Sequence, residues 1–182
     1  AATRSGPGSE IQPVLGMSAL RGLRCEYRFG EALIDVTDAG SDQTSGRWFD
    51  LALHPFGQPM VTVRFGPVEL EAVWDTGASL TAVDAAFADQ HRSLFDPIRD
   101  SVGFDASGVE MSTRLALMAG LEIEGVRFVR SVCAIVDLEP FNAALRRKAT
   151  RMGVSFEPMS LVLGMPVLDQ VDWVFDYPNR RW

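Results

Sequence analysis

The residue types that build metal centres and disulfide frameworks are scarce in this chain. It holds two cysteines, Cys25 and Cys133, and two histidines, His54 and His91. Two cysteines make neither a disulfide framework nor a zinc ligand set; one disulfide stays open as an alternative to the favoured interpretation of two buried thiols. Two histidines, both expected in exposed loops, offer little to a zinc site or a Ser-His-Asp triad. The sequence therefore predicts no metal ion and no cofactor.

Long apolar runs and lysine are scarce as well. No apolar run approaches the roughly 20 residues that a membrane-spanning helix needs, so no membrane segment is predicted. The net charge is −7, and Lys148 is the only lysine. An acidic surface argues against nucleic acid as the main partner. Hydrophobic residues make up 47% of the 182 residues, which is enough for the core of one domain with an attached piece.

The sequence is rich in alternating apolar and polar residues, which is the pattern of half-buried β-strands. From Val68 to Trp74, apolar side chains occupy every second position, with Glu69 and Glu71 on the opposite face. Residues 61–65 show the same alternation, and residues 111–136 also favour strands, with a tight hairpin at Glu124-Gly125. The predicted fold class is therefore mostly β.

Two or three short helices interrupt the predicted strands. Asp84 is a candidate N-cap for a helix that starts at Ala85. A longer helix is predicted further along the chain from an apolar stripe at helical spacing, which consists of Phe141, Leu145, Ala149 and Met152. A third short helix is expected from Pro166, immediately after a glycine turn.

One run of residues carries the strongest chemical signal. The predicted strand that ends at Trp74 leads into Asp75, Thr76, Gly77, Ala78 and Ser79. An Asp-Thr-Gly triplet is weak evidence by itself, since an Asp before Gly also suits an ordinary turn. Its setting strengthens it, because far downstream Val162, Leu163 and Gly164 form a second motif, two apolar residues and a glycine that open a short helix.

These two motifs, in this order, resemble those of aspartic proteases of the retropepsin type, the retroviral proteases and their bacterial relatives. The resemblance covers residues 49–182 and implies a closed β-barrel lobe in which Asp75 is the catalytic carboxylate. It also implies that the Thr76 hydroxyl bonds to a partner loop, and that Gly77 and Gly164 allow close backbone packing at the active site. A mobile hairpin, the flap, is expected near residues 101–113, with Asp105, Ala106, Ser107 and Gly108 at its tip.

The chain also contains an internal repeat with an offset of 148 residues. Val14-Leu15-Gly16-Met17 matches Val162-Leu163-Gly164-Met165, and Leu20, Leu23, Tyr27 and Phe29 match Leu168, Val171, Phe175 and Tyr177 in the same register. We interpret residues 1–46 as a flexible start followed by the tail of a preceding protease-like lobe. Residues 47–182 are then the lobe that the resemblance describes.

Hydrolysis of a peptide bond by this family requires two aspartates, and the chain has one Asp-Thr-Gly. The second carboxylate must come from a homodimer partner or from a second lobe of a longer protein, and both routes remain open. The predicted function is an aspartic endopeptidase that acts on a peptide or protein substrate. The alternatives are a catalytically silent module that binds peptides or dimerises, and an unrelated β-barrel for a small ligand. The periplasm or cell envelope is the preferred compartment by hypothesis only.

Overall fold

The computed structural model describes residues 16–38, 46–104 and 108–182. Four α-helices and thirteen β-strands lie within these ranges. The helices are α1 (Met17–Leu20), α2 (Ala85–Gln90), α3 (Glu139–Met152) and α4 (Met165–Leu168). The strands are β1 (Leu23–Arg28), β2 (Leu33–Asp38), β3 (Ala52–Leu53), β4 (Pro59–Phe65), β5 (Val68–Trp74), β6 (Thr81–Asp84), β7 (Phe95–Phe104), β8 (Glu110–Met118), β9 (Leu121–Ile123), β10 (Val126–Phe128), β11 (Ser131–Val136), β12 (Leu161–Leu163) and β13 (Trp173–Asp176).

The larger sheet has ten strands, in the order β10-β9-β4-β5-β12-β6-β11-β8-β7, with β3 added beside β4. Most neighbours are antiparallel, but β12 runs parallel to β5 and β11 runs parallel to β6. The strand β12 therefore lies between β5, which leads into Asp75, and β6, which follows the loop after it. This topology brings the two distant sequence motifs to the same place in the sheet.

The smaller sheet has three strands, in the order β13-β1-β2, all antiparallel. Its central strand β1 comes from the first part of the chain, and β13 comes from the last part. The inward side chains of β1, Cys25 and Tyr27, are buried in the same hydrophobic core as the strands of the larger sheet. Residues 16–38 are thus packed onto the lobe that follows them.

Aromatic rings fill the centre of this shared core. The Trp74 ring, immediately before Asp75, makes edge contacts with Tyr27 at 4.8 Å and with Phe175 at 4.7 Å between ring centroids. Edge-to-face pairs of this kind stabilise a core beyond the burial of their area. The position of Asp75 is therefore fixed by a strand whose last side chain lies in the most densely aromatic part of the protein.

The mostly β class and the short helices match the sequence prediction, but the closed barrel does not. Within the described residues the ten-stranded sheet is open, with β10 at one end and β7 at the other. Asp84 caps α2 as predicted, since its carboxylate accepts a hydrogen bond from the Ala86 amide at 3.2 Å. The Glu124-Gly125 hairpin is also confirmed, and both residues have positive φ.

Two burial predictions are wrong. On α3, Ala149 is buried as the stripe predicts, but Phe141 and Met152 are exposed and the polar Asn142 is buried. The histidine at position 54, predicted in an exposed loop, is 5% exposed, because its ring packs against Phe56 and Phe156. Burial lowers the pKa of His54 below its ordinary value.

The two cysteines are free thiols, and both are buried. Of the two possibilities that the sequence left open, the pair of buried thiols is therefore the one observed. Burial raises the pKa of the Cys133 thiol to about 12 and raises that of Cys25 as well. Neither thiol has the thiolate character that a catalytic cysteine needs at neutral pH.

Candidate active site at Asp75

The loop from Asp75 to Leu80 begins where β5 ends and is held by its own backbone. One Asp75 carboxylate oxygen, Oδ1, accepts a hydrogen bond from the Gly77 amide at 2.8 Å. The Ala78 amide donates to the Asp75 carbonyl at 3.2 Å. These two bonds turn the chain back beneath the carboxylate and fix its direction. A residue without a side chain at position 77 suits this geometry, since a Cβ there would lie 3.1 Å from Asp75 Oδ1.

The second motif packs directly against this loop. The Asp75 amide donates to the Leu163 carbonyl at 3.1 Å, and the Met165 amide donates to the Ala78 carbonyl at 2.9 Å. A Cβ on Gly164 would lie 2.5 Å from the carbonyl carbon and oxygen of Leu80 and 2.6 Å from the Ala78 oxygen. No side chain fits in that space, so only glycine allows the two segments to approach this closely.

The hydroxyl of Thr81 completes the contact between the two motifs. Its Oγ1 accepts a hydrogen bond from the Gly164 amide at 3.1 Å, and the residue is fully buried. The bond satisfies an amide that would otherwise be orphaned at the start of α4. The motif resemblance assigns no role to Thr81. The only signal in the sequence for such a role is the type of residue: at this inward-facing position of an alternating strand, an apolar residue would be expected, and the chain has a threonine.

The chemical face of the loop is open to solvent. Asp75 and Ala78 are half-buried, whereas Thr76, Gly77 and Ser79 are exposed. The carboxylate is therefore anchored from below by the backbone and accessible from above. Such an arrangement can present one oriented carboxylate to a water molecule or to a second carboxylate brought by another lobe.

The predicted flap lies in a long hairpin formed by β7 and β8. Its register runs from Phe95 opposite Met118 to Phe104 opposite Glu110. Gly108, with φ +82°, lies in the connection, while Asp105, Ala106 and Ser107 fall outside the described residues.

The far half of this hairpin extends beyond the sheet. The strand β11 pairs with β8 only over Arg114–Met118, so among the described residues the segment 110–113 pairs with β7 alone. Three apolar side chains near the connection are exposed, namely Val102, Phe104 and Val109. A two-stranded arm that carries exposed apolar side chains next to its connection has few contacts to hold it in place.

The described part of the chain has no group of three or more His, Cys, Asp or Glu side chains that could hold a metal ion. Among the same residues, no helix is both long and apolar enough to span a bilayer.

No protein-family model matches the chain, and no curated protein matches it. Among solved structures, the chain is similar to a retropepsin-like aspartic protease from Rickettsia conorii. The superposition covers 72% of this chain and 100% of that one, with 15% sequence identity and a TM-score of 0.47. A likeness of this size does not assign a function, which has to come from the residues of the chain itself.

Proposed function

We propose that this chain contributes one half of an aspartic endopeptidase active site, with Asp75 as its catalytic carboxylate. The observation that supports this most directly is the junction of the two motifs. The Gly77 amide orients the Asp75 carboxylate by a hydrogen bond. The loop that follows Asp75 packs closely on Gly164 through the carbonyl groups of Ala78 and Leu80. An ordinary Asp-Gly turn needs no such support from a segment almost 90 residues downstream.

The chemistry follows from pairing this carboxylate with a second one. Hydrolysis of a peptide bond needs a general base to activate water and an acid to protonate the carbonyl oxygen and the leaving nitrogen. Two carboxylates held close together share one proton, so one of them is ionised while the other is protonated, as the aspartic proteases illustrate in general. The second carboxylate belongs to a homodimer partner or to a second lobe. Thr76 is exposed, and its hydroxyl would bond to that partner's loop.

The projecting β7–β8 arm is the proposed lid. A peptide substrate in extended conformation presents backbone donors and acceptors that a β-hairpin can pair with. The exposed apolar side chains Phe104 and Val109 would cover apolar side chains of the substrate and exclude water from the reacting bond. The substrate class is therefore an extended segment of a peptide or an unfolded protein.

The test is cleavage of a library of unstructured peptides, followed by mass spectrometry, over a pH series from about 4 to 8. The assay is run on two proteins. One is this chain at rising concentration, and the other is the protein expressed from the first codon of its natural reading frame. Asp75→Asn should lower kcat/KM by about 10²–10⁴-fold, the usual contribution of a general acid or base. Asp89→Asn, which removes an exposed carboxylate on α2, is the matched control and should leave it unchanged. Undiminished cleavage by Asp75→Asn would rule out the proposal.

A second candidate function is peptide binding without turnover. It is favoured by the presence of a single Asp-Thr-Gly in the chain. Fluorescence polarisation with a labelled form of a library peptide separates the two, because binding without any cleavage across the pH series supports the silent module.

A further inference from the structure

From Gly16 onward, the internal repeat is reproduced in the backbone. The helices α1 and α4 occupy positions exactly 148 apart, and each follows a glycine, Gly16 or Gly164, in extended conformation. The Ala19 amide donates to the Gly16 carbonyl at 2.9 Å, and its equivalent, the Val167 amide, donates to Gly164 at 3.0 Å. The two segments therefore form the same local structure, which four matching letters alone did not establish.

The equivalence continues through the following hairpin. Ala32 has φ +52° and its amide donates to Phe29, while Arg180 has φ +50° and its amide donates to Tyr177. Arg180 and Tyr177 are the equivalents of Ala32 and Phe29 at the offset of 148 residues. The cross-strand pairs Arg28 with Leu33 and Asp176 with Arg181 are related by the same offset. Residues 16–34 and 164–182 are thus two copies of one glycine–helix–hairpin unit.

The two copies pair with each other about a local twofold axis. In the β1–β13 ladder Glu26 lies opposite Val174, and these are equivalent residues, since 26 plus 148 is 174. On either side of this pair, Cys25 lies opposite Phe175 and Tyr27 lies opposite Trp173. Each of these pairs is the symmetry mate of the other. A pairing that maps onto itself in this way is the geometry of an isologous interface between two like subunits.

The surroundings of the two copies differ. The second copy is covered by its own lobe: Gly164 lies against Leu80, and Trp182 exchanges two backbone hydrogen bonds with Phe49, at 2.8 and 2.9 Å. In the first copy, a Cβ on Gly16 would meet, among the described residues, nothing closer than Ser18 Oγ at 3.8 Å. The equivalent of Trp182 is Ile34, which is 56% exposed. Its neighbours Leu33 and Val36 are exposed as well.

We propose that residues 16–34 are the docking site for a second lobe of the same fold, encoded before this chain in the same polypeptide. Its Asp-Thr/Ser-Gly loop would pack on Gly16 as the Asp75 loop packs on Gly164. Its first strand would pair with Ile34 as Phe49 pairs with Trp182. The local twofold axis then brings its catalytic loop to the Asp75 loop. This last step, the completed dyad, rests on the proposed function, whereas the docking does not.

A second copy of this chain fits the site poorly for two reasons. In each copy the loop from Ala78 to Leu80 is already packed on Gly164, so it is not available to Gly16. A homodimer of the retroviral kind would also need the free edge of β13 at its axis, and β1 occupies that edge. The lobe that fits is one that lacks a glycine–helix–hairpin unit of its own, and residues 16–34 supply it.

The experiment compares glycine substitutions in two proteins, the 182-residue chain and the protein expressed from the first codon of its natural reading frame. In the longer protein, Gly16→Ala should lower Tm by about 5 °C, as Gly164→Ala also should, because a partner backbone leaves no room for a Cβ. In the 182-residue chain, Gly16→Ala should shift Tm by less than about 2 °C. Gly22→Ala is the matched control, since a Cβ there meets no described residue within 4 Å.

Hydrogen exchange of the wild-type proteins tests the same surface without any substitution. The Ile34 amide should exchange at least about tenfold more slowly in the longer protein than in the 182-residue chain. The proposal is overturned by equal exchange in both proteins, by a reading frame without a preceding lobe, or by a 182-residue chain that forms a homodimer through β13. Protection of Ile34 without peptide cleavage would support the docking and count against the proposed function.

Discussion

Residues 16–34 and 164–182 share one backbone conformation, but the protein surrounds them differently. Their inward side chains enter the same core, where Tyr27 and its equivalent Phe175 both contact Trp74. Their outer surfaces diverge, since Gly164 is enclosed by the active-site loop and Gly16 is open. The comparison separates two properties that are usually confounded. Integration into the core depends on the inner face of the unit, whereas support of a catalytic loop depends on its glycine turn.

The largest effect should come from the inner faces. Tyr27→Ala and Phe175→Ala should each destabilise the protein by about 3–5 kcal/mol, since each removes a fully buried aromatic ring from the contact with Trp74. Urea denaturation followed by both tryptophan fluorescence and circular dichroism measures this. Ile34→Ala, which truncates an exposed side chain of the first copy, is the control and should stay within about 0.5 kcal/mol.

The same experiment can also show that the two copies do not share one core. If Tyr27→Ala splits the denaturation curve into two transitions, the first copy unfolds separately and is not part of the core. A single transition with similar losses for both variants would mean that residues 16–38 and the lobe fold as one unit.

The sequence predicts well whatever depends on local periodicity. Alternation located β4 and β5, the Glu124-Gly125 turn located the β9–β10 hairpin, and Asp84 marked the start of α2. The repeat was visible too, because its glycine, apolar and aromatic positions have fixed steric roles that tolerate little substitution.

Features that depend on distant contacts could not be predicted in this way. The apolar stripe of α3 located the buried Ala149, but it did not predict that Asn142 turns inward to exchange two 3.0 Å hydrogen bonds with the backbone of Met159. His54 is buried by Phe156, a residue about 100 positions away. Whether β10 and β7 meet to close a barrel is likewise not encoded in the pattern of either strand. At the site, the position of Asp75 was predicted, but the support from Thr81 was not.

A smaller effect should distinguish the two glycines. Gly164→Ala should destabilise the chain by about 2–3 kcal/mol, because a Cβ within 2.6 Å of the Ala78 and Leu80 backbone forces the active-site loop to move. Gly16→Ala in the 182-residue chain should change stability by less than about 0.5 kcal/mol. Thermal and urea unfolding of both variants provide the measurement. Equal losses would show that the difference in surroundings has no energetic consequence, and the comparison would fail.

The smallest effect concerns the hairpin that ends the second copy. Asp176 is 1% exposed, and its carboxylate accepts hydrogen bonds from Asn179 Nδ2 at 2.8 Å and Arg181 Nε at 2.9 Å. Burial by itself would raise the pKa of Asp176, but the hydrogen bonds from Asn179 and Arg181 outweigh it and hold the pKa below its ordinary value. The equivalent residue in the first copy is Arg28, whose ion-pair partner Asp35 is far more exposed.

The sign of the pH dependence follows from that lowered pKa. Because the folded pKa lies below the unfolded one, the stabilisation is complete above the unfolded value of about 3.9 and is lost as pH falls through the folded value. Asp176→Asn should therefore cost about 1.5 kcal/mol at pH 7, and its difference from the wild type should shrink as pH falls below about 4. Asp35→Asn should cost at most about 0.5 kcal/mol at any pH, since exposed ion pairs contribute little. Urea midpoints measured across this pH range decide the matter: a pH-independent cost for Asp176→Asn would mean that this carboxylate contributes through its shape and not through its charge.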